Sequence, residues 1–445
     1  MMSFGLTPAS AQTTNAHWFN CITALPDDTM CLDLGGCVGT QFRNYFDLYL
    51  VEASPDLVTW APLTGLLRTN ASTTPLLCVD GASANLSQRF YRMPTDVLAT
   101  PFPNPPSGPF RVGTFAVQLT DPSRTNRYNI KTNSSFMATF WYPAQVGAGQ
   151  LPGPYQDEKL ASYRPYWSTL TNAVPYFISH TFPGASIAPG TDRYPVVLYT
   201  HGLADGLTEG GTAAGVRTEN TAAAAELASQ GYVVAAVDHT DCYGSVYPDG
   251  TRVLRGFPFG NVLGNPGPYL QNRFKDLDFV LGQLEQMNQT DPILANRLDL
   301  DHIGIMGWSF GGGTAAEACR TNNQIKAMVL LDAYLDPVPK VASLGVQKSF
   351  LAMNSPSSGL APANQTLFNR ATNNAYFLQI QNSAHETFTD QAWITQHTSA
   401  TRWAGQAKNA CLVSFFNKYL KNQDDHLLDA PSKTYSNIIA FQKKP

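Results

Sequence analysis

The chain has 445 residues, 43% hydrophobic and 14% charged, with 29 basic against 33 acidic side chains and a net charge of −4. It is long for one domain and apolar enough for a large core. It carries no basic stripe suited to nucleic acid and no uninterrupted apolar run able to span a bilayer.

Residues 1–13 read as the remnant of a signal peptide or as a disordered tail. Ala9-Ser10-Ala11 before Gln12 has the form of a small-residue cleavage site, although the charged and long apolar regions of a signal are missing. Residues 14–97 form a small β-rich accessory module, with alternating runs such as YFDLYLVEA at 45–53 punctuated by Pro, Asp, Gly and Asn. Four cysteines fall there, Cys21, Cys31, Cys37 and Cys78, and imply two disulfides whose pairing stays open. Cys242, Cys319 and Cys411 are expected as buried thiols, unless two of them pair. With no CxxC spacing and no clustered histidine partner, no metal site is expected. The cysteines and the small-residue site together point to a secreted or periplasmic protein. Sequons at Asn70, Asn85, Asn133, Asn288 and Asn364 carry meaning only in a eukaryotic secretory host. The module's aromatic residues read first as core; binding of a surface or a carbohydrate is the functional alternative.

Residues 98–108 are a proline-rich linker, part of TPFPNPPSGPF at 100–110. Beyond it, 109–445 changes rhythm. FMATFWYPA (136–144) is a strand, and the aromatic-rich stretch 146–190 lacks periodicity and is expected as a lid. YPVVLYTHG (194–202) and YVVAAVDH (232–239) are continuous apolar runs, as strands covered on both faces should be. Helices are expected over 219–229, 271–287 and 403–421. HIGIMGWS, KAMVLLDA (326–333), KSFLAMNS (348–355) and AYFLQIQNS (375–383) are further strands. Strands alternating with helices predict an α/β domain on a mostly parallel sheet.

Gly307-Trp308-Ser309-Phe310-Gly311 has the G-x-S-x-G form of a nucleophile elbow, with a buried strand before it and an Ala-rich helix after. The sharp strand-to-helix turn has no room for Cβ atoms two positions either side of the serine. A serine hydroxyl needs a base, and the base needs an acid to orient it, in the chain order Ser, Asp or Glu, His. Between Ser309 and His385 the acids are Glu317, Asp332 and Asp336. Glu317 lies in the helix leaving the elbow. Asp332 closes a strand at the sheet's carboxyl edge and is assigned as the acid, with Asp336 in reserve. Of the later histidines, His397 and His426 sit in polar surroundings, whereas His385 follows a strand directly and is assigned as the base. The oxyanion amides are assigned to Phe310, after the nucleophile, and to Leu203, in the THGL loop at 200–203. His201 is read as a brace of that loop, and Trp308 and Gly202 as substrate contacts.

These residues together resemble the secreted platelet-activating-factor acetylhydrolase family of α/β-hydrolases. The resemblance covers roughly 108–425 and is carried by GPFRVG with FWYPA, PVVLYTHGL, LASQGYVVAAVDHTD, GWSFGG, LLDAY and SAHETF. It implies an α/β-hydrolase fold for the residues that follow the small β-rich module. It also implies the triad Ser309, Asp332 and His385, and the oxyanion amides Leu203 and Phe310. Trp308 stands where the family generally has histidine, and 146–190 and the N-terminal module depart from it. The function expected is serine carboxylic-ester hydrolysis through an acyl-enzyme, without cofactor or metal, on short-acyl esters. A small-molecule or polymeric ester is the partner, with contact to a lipid surface compatible. Rival readings are a polyesterase or cutinase-like enzyme, an amidase or peptidase, and a non-catalytic binding protein on a hydrolase scaffold.

Overall fold

The computed structural model describes residues 17–36, 46–69, 76–93, 100–101, 105–125, 133–147, 150, 152–153, 155, 177–203, 215–241, 244–254, 262, 264–392 and 399–445. The tail 1–13 and most of the stretch expected as a lid (148–149, 151, 154 and 156–176) lie outside them. The chain divides into two compact units, Met1–Pro101 with Pro154–Ile178, and Phe102–Gly153 with Ser179–Pro445.

In the first unit, His17–Ala24, Met30–Gly36 and Leu76–Asp80 form one antiparallel sheet, and Phe46–Ser54, Ala61–Thr69 and Phe90–Arg92 form another. Leu32, Leu34, Val51 and Cys78 are buried together as its core. Asp80 is buried too, and its carboxylate is held by Arg89 at 2.8 Å and by the Tyr91 hydroxyl at 3.1 Å.

The two expected disulfides are not formed. Cys21, Cys31 and Cys78 are free thiols, and Cys37 lies outside the described residues. Register explains the Cys31–Cys78 case. Cys78 stands opposite Leu32 and points with it into the core, so Cys31 points to the other face. Diverging Cβ vectors of that kind cannot be bridged without moving backbone. Cys319 and Cys411 are buried free thiols of the second unit.

The second unit is built on an 11-stranded sheet. Its strands in chain order are β1 (Arg111–Thr125), β2 (Asn133–Gln145), β3 (Thr181–Pro183), β4 (Ser186–Ile187), β5 (Tyr194–Thr200) and β6 (Val233–Val237). They continue with β7 (Leu298–Trp308), β8 (Ile325–Leu331), β9 (Ser349–Asn354), β10 (Ala375–Ile380) and β11 (Ile438–Lys444). The order is β3-β1-β2-β6-β5-β7-β8-β9-β10-β11, with β4 on β2. Neighbours from β6 to β10 are parallel, while β2 joins β6, and β11 joins β10, antiparallel. This is the mostly parallel sheet of an α/β-hydrolase.

Helices cover both faces, which is why β5 and β6 are buried along their whole length. On one face lie α2 (Gly267–Thr290) and α3 (Phe310–Thr321). α2 buries Leu270, Arg273, Leu277, Val280, Leu281 and Leu284, the stripe of a 3.6-residue period. On the other lie α1 (Thr221–Ser229) and α4 (Ser399–Leu420). β7 serves both layers, with Ile303 and Ile305 facing α2 and α3, and Met306 and Trp308 facing α4. α4 approaches closely because a Cβ on Gly304 would lie 2.6 Å from the Phe416 ring. No helix among the described residues is long and apolar enough to cross a membrane.

Candidate active site

Ser309 sits between β7 and α3 at φ 55°, ψ −123°, a backbone conformation that L-residues seldom adopt and that stores on the order of 1–3 kcal/mol. The flanking glycines make the turn sterically feasible. A Cβ on Gly307 would lie 2.3 Å from the Gly311 carbonyl oxygen, and one on Gly311 would lie 2.1 Å from that of Thr200. The elbow is also tied to the end of β8. The Ser309 N–H donates to the Leu331 carbonyl at 3.1 Å, and the Ser309 carbonyl accepts the Tyr334 N–H at 2.8 Å.

Asp332 lies between those two tethers, fully buried and also at positive φ, 44°. Its N–H donates to the Met353 carbonyl at 2.7 Å. Oδ1 accepts the Ser355 N–H at 3.1 Å and the Ser358 hydroxyl at 2.8 Å. Oδ2 lies 2.7 Å from Nδ1 of His385. His385 opens a one-turn 3₁₀ helix, His385–Phe388, just after β10. The turn is closed by the Thr387 N–H donating to the Ala384 carbonyl and by the Ala384 N–H donating to the Thr387 hydroxyl oxygen. The imidazole is a quarter exposed while the carboxylate is dry, so one nitrogen faces the acid and the ring edge reaches the open side. Of the residues set aside from sequence, Asp336 is exposed, His426 bonds Asp429 at the surface, and His397 lies outside the described residues.

The loop after β5 is clamped from two sides. Arg273, buried on α2, donates to the His201 carbonyl at 2.5 Å and to the Gly202 carbonyl at 3.1 Å. His201 Nδ1 donates to the same Gly202 carbonyl at 2.7 Å, and its Nε2 accepts the His239 N–H at 3.0 Å. Burial pushes His201 well below the ordinary histidine range, with the Arg273 charge adding to the effect. A neutral ring accepting at Nε2 must carry its proton at Nδ1. His201 is therefore a brace whose two nitrogens are both engaged. The peptide joining Gly202 to Leu203 is planar and trans, so fixing the Gly202 carbonyl aims the Leu203 N–H in the opposite direction. Phe310 opens α3, where first-turn amides have no intrahelical acceptor, and its ring lies under the Arg273 guanidinium at 4.8 Å.

Trp308 and Gly202, read as substrate contacts, are both buried. The indole is 3% exposed and lies between the loop and the histidine. Its Nε1 donates to the His385 carbonyl at 2.9 Å, and the two rings are 4.6 Å apart. A Cβ on Gly202 would lie 2.4 Å from that indole and 3.4 Å from Cβ of Ser309.

Of the supporting residues, Arg273, Glu219 and Asp276 have no motif around them in the sequence, whereas His239 lies in the segment LASQGYVVAAVDHTD. Asp276 accepts the Thr240 N–H at 3.1 Å, faces His239 Nδ1 at 3.2 Å and is paired with Arg124 at 2.9 Å. A buried arginine in the middle of a helix's apolar stripe is the one signal that could have revealed the clamp.

The family described as platelet-activating factor acetylhydrolase, isoform II, matches residues 107–247 and 279–412. The chain belongs to that family. The matched residues of this acetylhydrolase-family chain carry every residue assigned above to the triad and the oxyanion amides. The platelet-activating factor acetylhydrolase of Bos taurus is 24% identical over 240 residues, 46% of this chain and 50% of that protein. The enzyme of that name from Gallus gallus is 25% identical over 248 residues, 47% of this chain and 56% of that protein. The chain spans about half the length of the curated relatives it matches. A solved structure of a ferulic acid esterase from Streptomyces cinnamoneus is similar at 26% identity, with a TM-score of 0.62, over 77% of this chain and 99% of that one.

Proposed function

We propose that the chain is a serine carboxylic-ester hydrolase that turns over short-acyl esters through an acyl-enzyme. The observation that carries the reading is the 2.7 Å pairing of His385 Nδ1 with the buried Asp332 carboxylate, on a loop stacked against the residue that precedes a strained elbow serine.

In this mechanism His385 takes the Ser309 proton, and the alkoxide attacks the ester carbonyl. The Leu203 and Phe310 amides receive the oxyanion, an interaction whose loss costs about 3 kcal/mol per donor. His385 then protonates the leaving alcohol, and a water deprotonated by His385 releases the acid. Asp332 holds the imidazole with its proton on Nδ1 and stabilises the imidazolium. No step asks for a metal or a cofactor. The relatives' names suggest two ester classes, an acetyl ester and a ferulic acid ester. The first is favoured here because the family match covers both the elbow and the histidine loop. Export and a surface-binding role for the N-terminal unit belong to the same proposal, on the Ala9-Ser10-Ala11 site and the composition of 14–97.

The test is kcat/KM on p-nitrophenyl esters from acetate to palmitate and on methyl ferulate, with Ser309→Ala as blank. A steep preference for acetate and butyrate, abolished by the substitution, is the expected result. A long-chain or flat profile moves the substrate to lipids or polyesters, and a ferulate preference to aromatic esters. Activity surviving in Ser309→Ala overturns the mechanism. Absence of both activity and fluorophosphonate labelling in the native chain would instead favour a non-catalytic binding protein.

A further inference from the structure

Glu219, at the head of α1, is 1% exposed and lies behind the loop that carries Leu203. Its Oε1 accepts the Gly202 N–H at 2.9 Å and the Tyr199 hydroxyl at 2.5 Å, and Oε2 accepts the Gly215 N–H at 2.5 Å. The Glu219 carbonyl accepts the Asp390 N–H at 2.9 Å. The adjoining Asn220 donates Nδ2 to the carbonyl of Phe388, the last residue of the histidine turn, at 2.8 Å. Lys408 donates to Asn220 Oδ1 at 2.9 Å and reaches the same Phe388 carbonyl at 3.4 Å. Asp390 Oδ2 accepts the Ala222 N–H at 3.0 Å, an anion placed on the first amides of α1.

Residues 219–222 therefore bond, through side chains and backbone, to both halves of the candidate site. We propose that Glu219 is a positioning residue for the reaction, tying the oxyanion loop to the backbone that also anchors the His385 turn and so setting the distance between the oxyanion amides and the base. The proposal rests on the reading of Ser309 as nucleophile. Three donors converge on this carboxylate, and among the described residues no cation forms an ion pair with it. An acceptor-only group satisfies all three, whereas an amide would turn an NH2 towards a donor. Burial pushes the carboxyl up to about 7, against the lowering effects of the Tyr199 hydroxyl, the two amides and the Arg273 charge. Protonation removes acceptor capacity, and the loop loses part of its tether. Misplacements of this kind away from the reacting atoms can cost about 100-fold in rate.

The experiment is steady-state kinetics of the full chain on p-nitrophenyl acetate from pH 5 to 9, for wild type, Glu219→Gln and Tyr199→Phe. Competent sites are counted with a fluorophosphonate, and Ser309→Ala is the blank. Glu219→Gln is expected to lose about 10- to 100-fold in kcat with KM changed less than about threefold. Tyr199→Phe removes a donor that favours the charged carboxylate, so the acid limb of kcat is expected to move to higher pH. Wild-type kcat in folded Glu219→Gln overturns the proposal, as does an unmoved acid limb in Tyr199→Phe. The second criterion decides alone if Glu219→Gln does not fold. Labelling that persists in Ser309→Ala overturns the underlying serine-hydrolase reading instead.

Discussion

Trp308 and His385 are joined twice, by the indole N–H on the His385 carbonyl at 2.9 Å and by ring contact at 4.6 Å and 33°. The first fixes the backbone of the turn and the second fixes the face of the imidazole. Trp308→Phe keeps a ring but leaves a carbonyl without its donor, a loss of about 1 kcal/mol for a neutral hydrogen bond. A fall in kcat/KM of roughly fivefold to tenfold is expected, with fluorophosphonate labelling of Ser309 slowed in proportion. Unchanged labelling would mean the contact supports the fold alone.

In the proposed mechanism Asp332 acts through the imidazole proton. In Asp332→Asn the amide can present a donor where Nδ1–H needs an acceptor, so the wrong tautomer is favoured and kcat should fall about 10³- to 10⁴-fold. Ser358→Ala removes one of two donors to Oδ1 and leaves the His385 contact alone. Its loss should be about tenfold or less, on the scale of one hydrogen bond to a charged group. Equal losses in the two variants would contradict this division of labour.

Gly202→Ala tests how tightly the loop is packed. The new methyl would meet an indole carbon at 2.4 Å, and the indole is pinned by its bond to His385. Overpacking of this kind costs roughly 1–3 kcal/mol, read as a lowered thermal midpoint. Activity should fall by more than the stability loss explains, because the strain is delivered to the Leu203 peptide.

The Glu219 carboxyl also leaves a mark on stability against pH. Folded, it holds a proton up to about 7, whereas the ordinary carboxyl releases it near 4.5. Its contribution is therefore fully present below about 4.5 and is lost as pH rises through 7. The difference in unfolding free energy, wild type minus Glu219→Gln, should fall over that window by up to an order of 3 kcal/mol. Denaturant titrations at pH 4.5, 6 and 8 measure it, and a constant difference would refute it.

The parallel strands and the elbow were legible because both leave one-dimensional marks. A strand buried on both faces is a continuous apolar run, and a crowded turn forces glycine at fixed offsets from Ser309. β1 and β11 were not. The burial of β1 follows no simple alternation, and β11 is a half-polar edge that becomes a strand by pairing with β10. The pairing of Asp332 with His385 followed from chain order on this fold. The Arg273 and Glu219 clamp did not, since its members come from separate elements and bond to backbone atoms, which leave no pattern in a sequence. Trp308 was visible as a departure from the family, but its partner, a main-chain carbonyl of the turn carrying His385, was not. The cysteines misled because their number was read without the strand register that separates Cys31 from Cys78.

The tethers of Ser309 to Leu331 and Tyr334 make the elbow and Asp332 one mechanical body. His385 belongs to another, a single short turn held by Trp308, Asn220 and Lys408. Gentle heating should therefore uncouple His385 first and leave Ser309 and Asp332 in register. The protein would then fall silent while still folded and regain its turnover on cooling, so that thermal inactivation and thermal unfolding separate into two events.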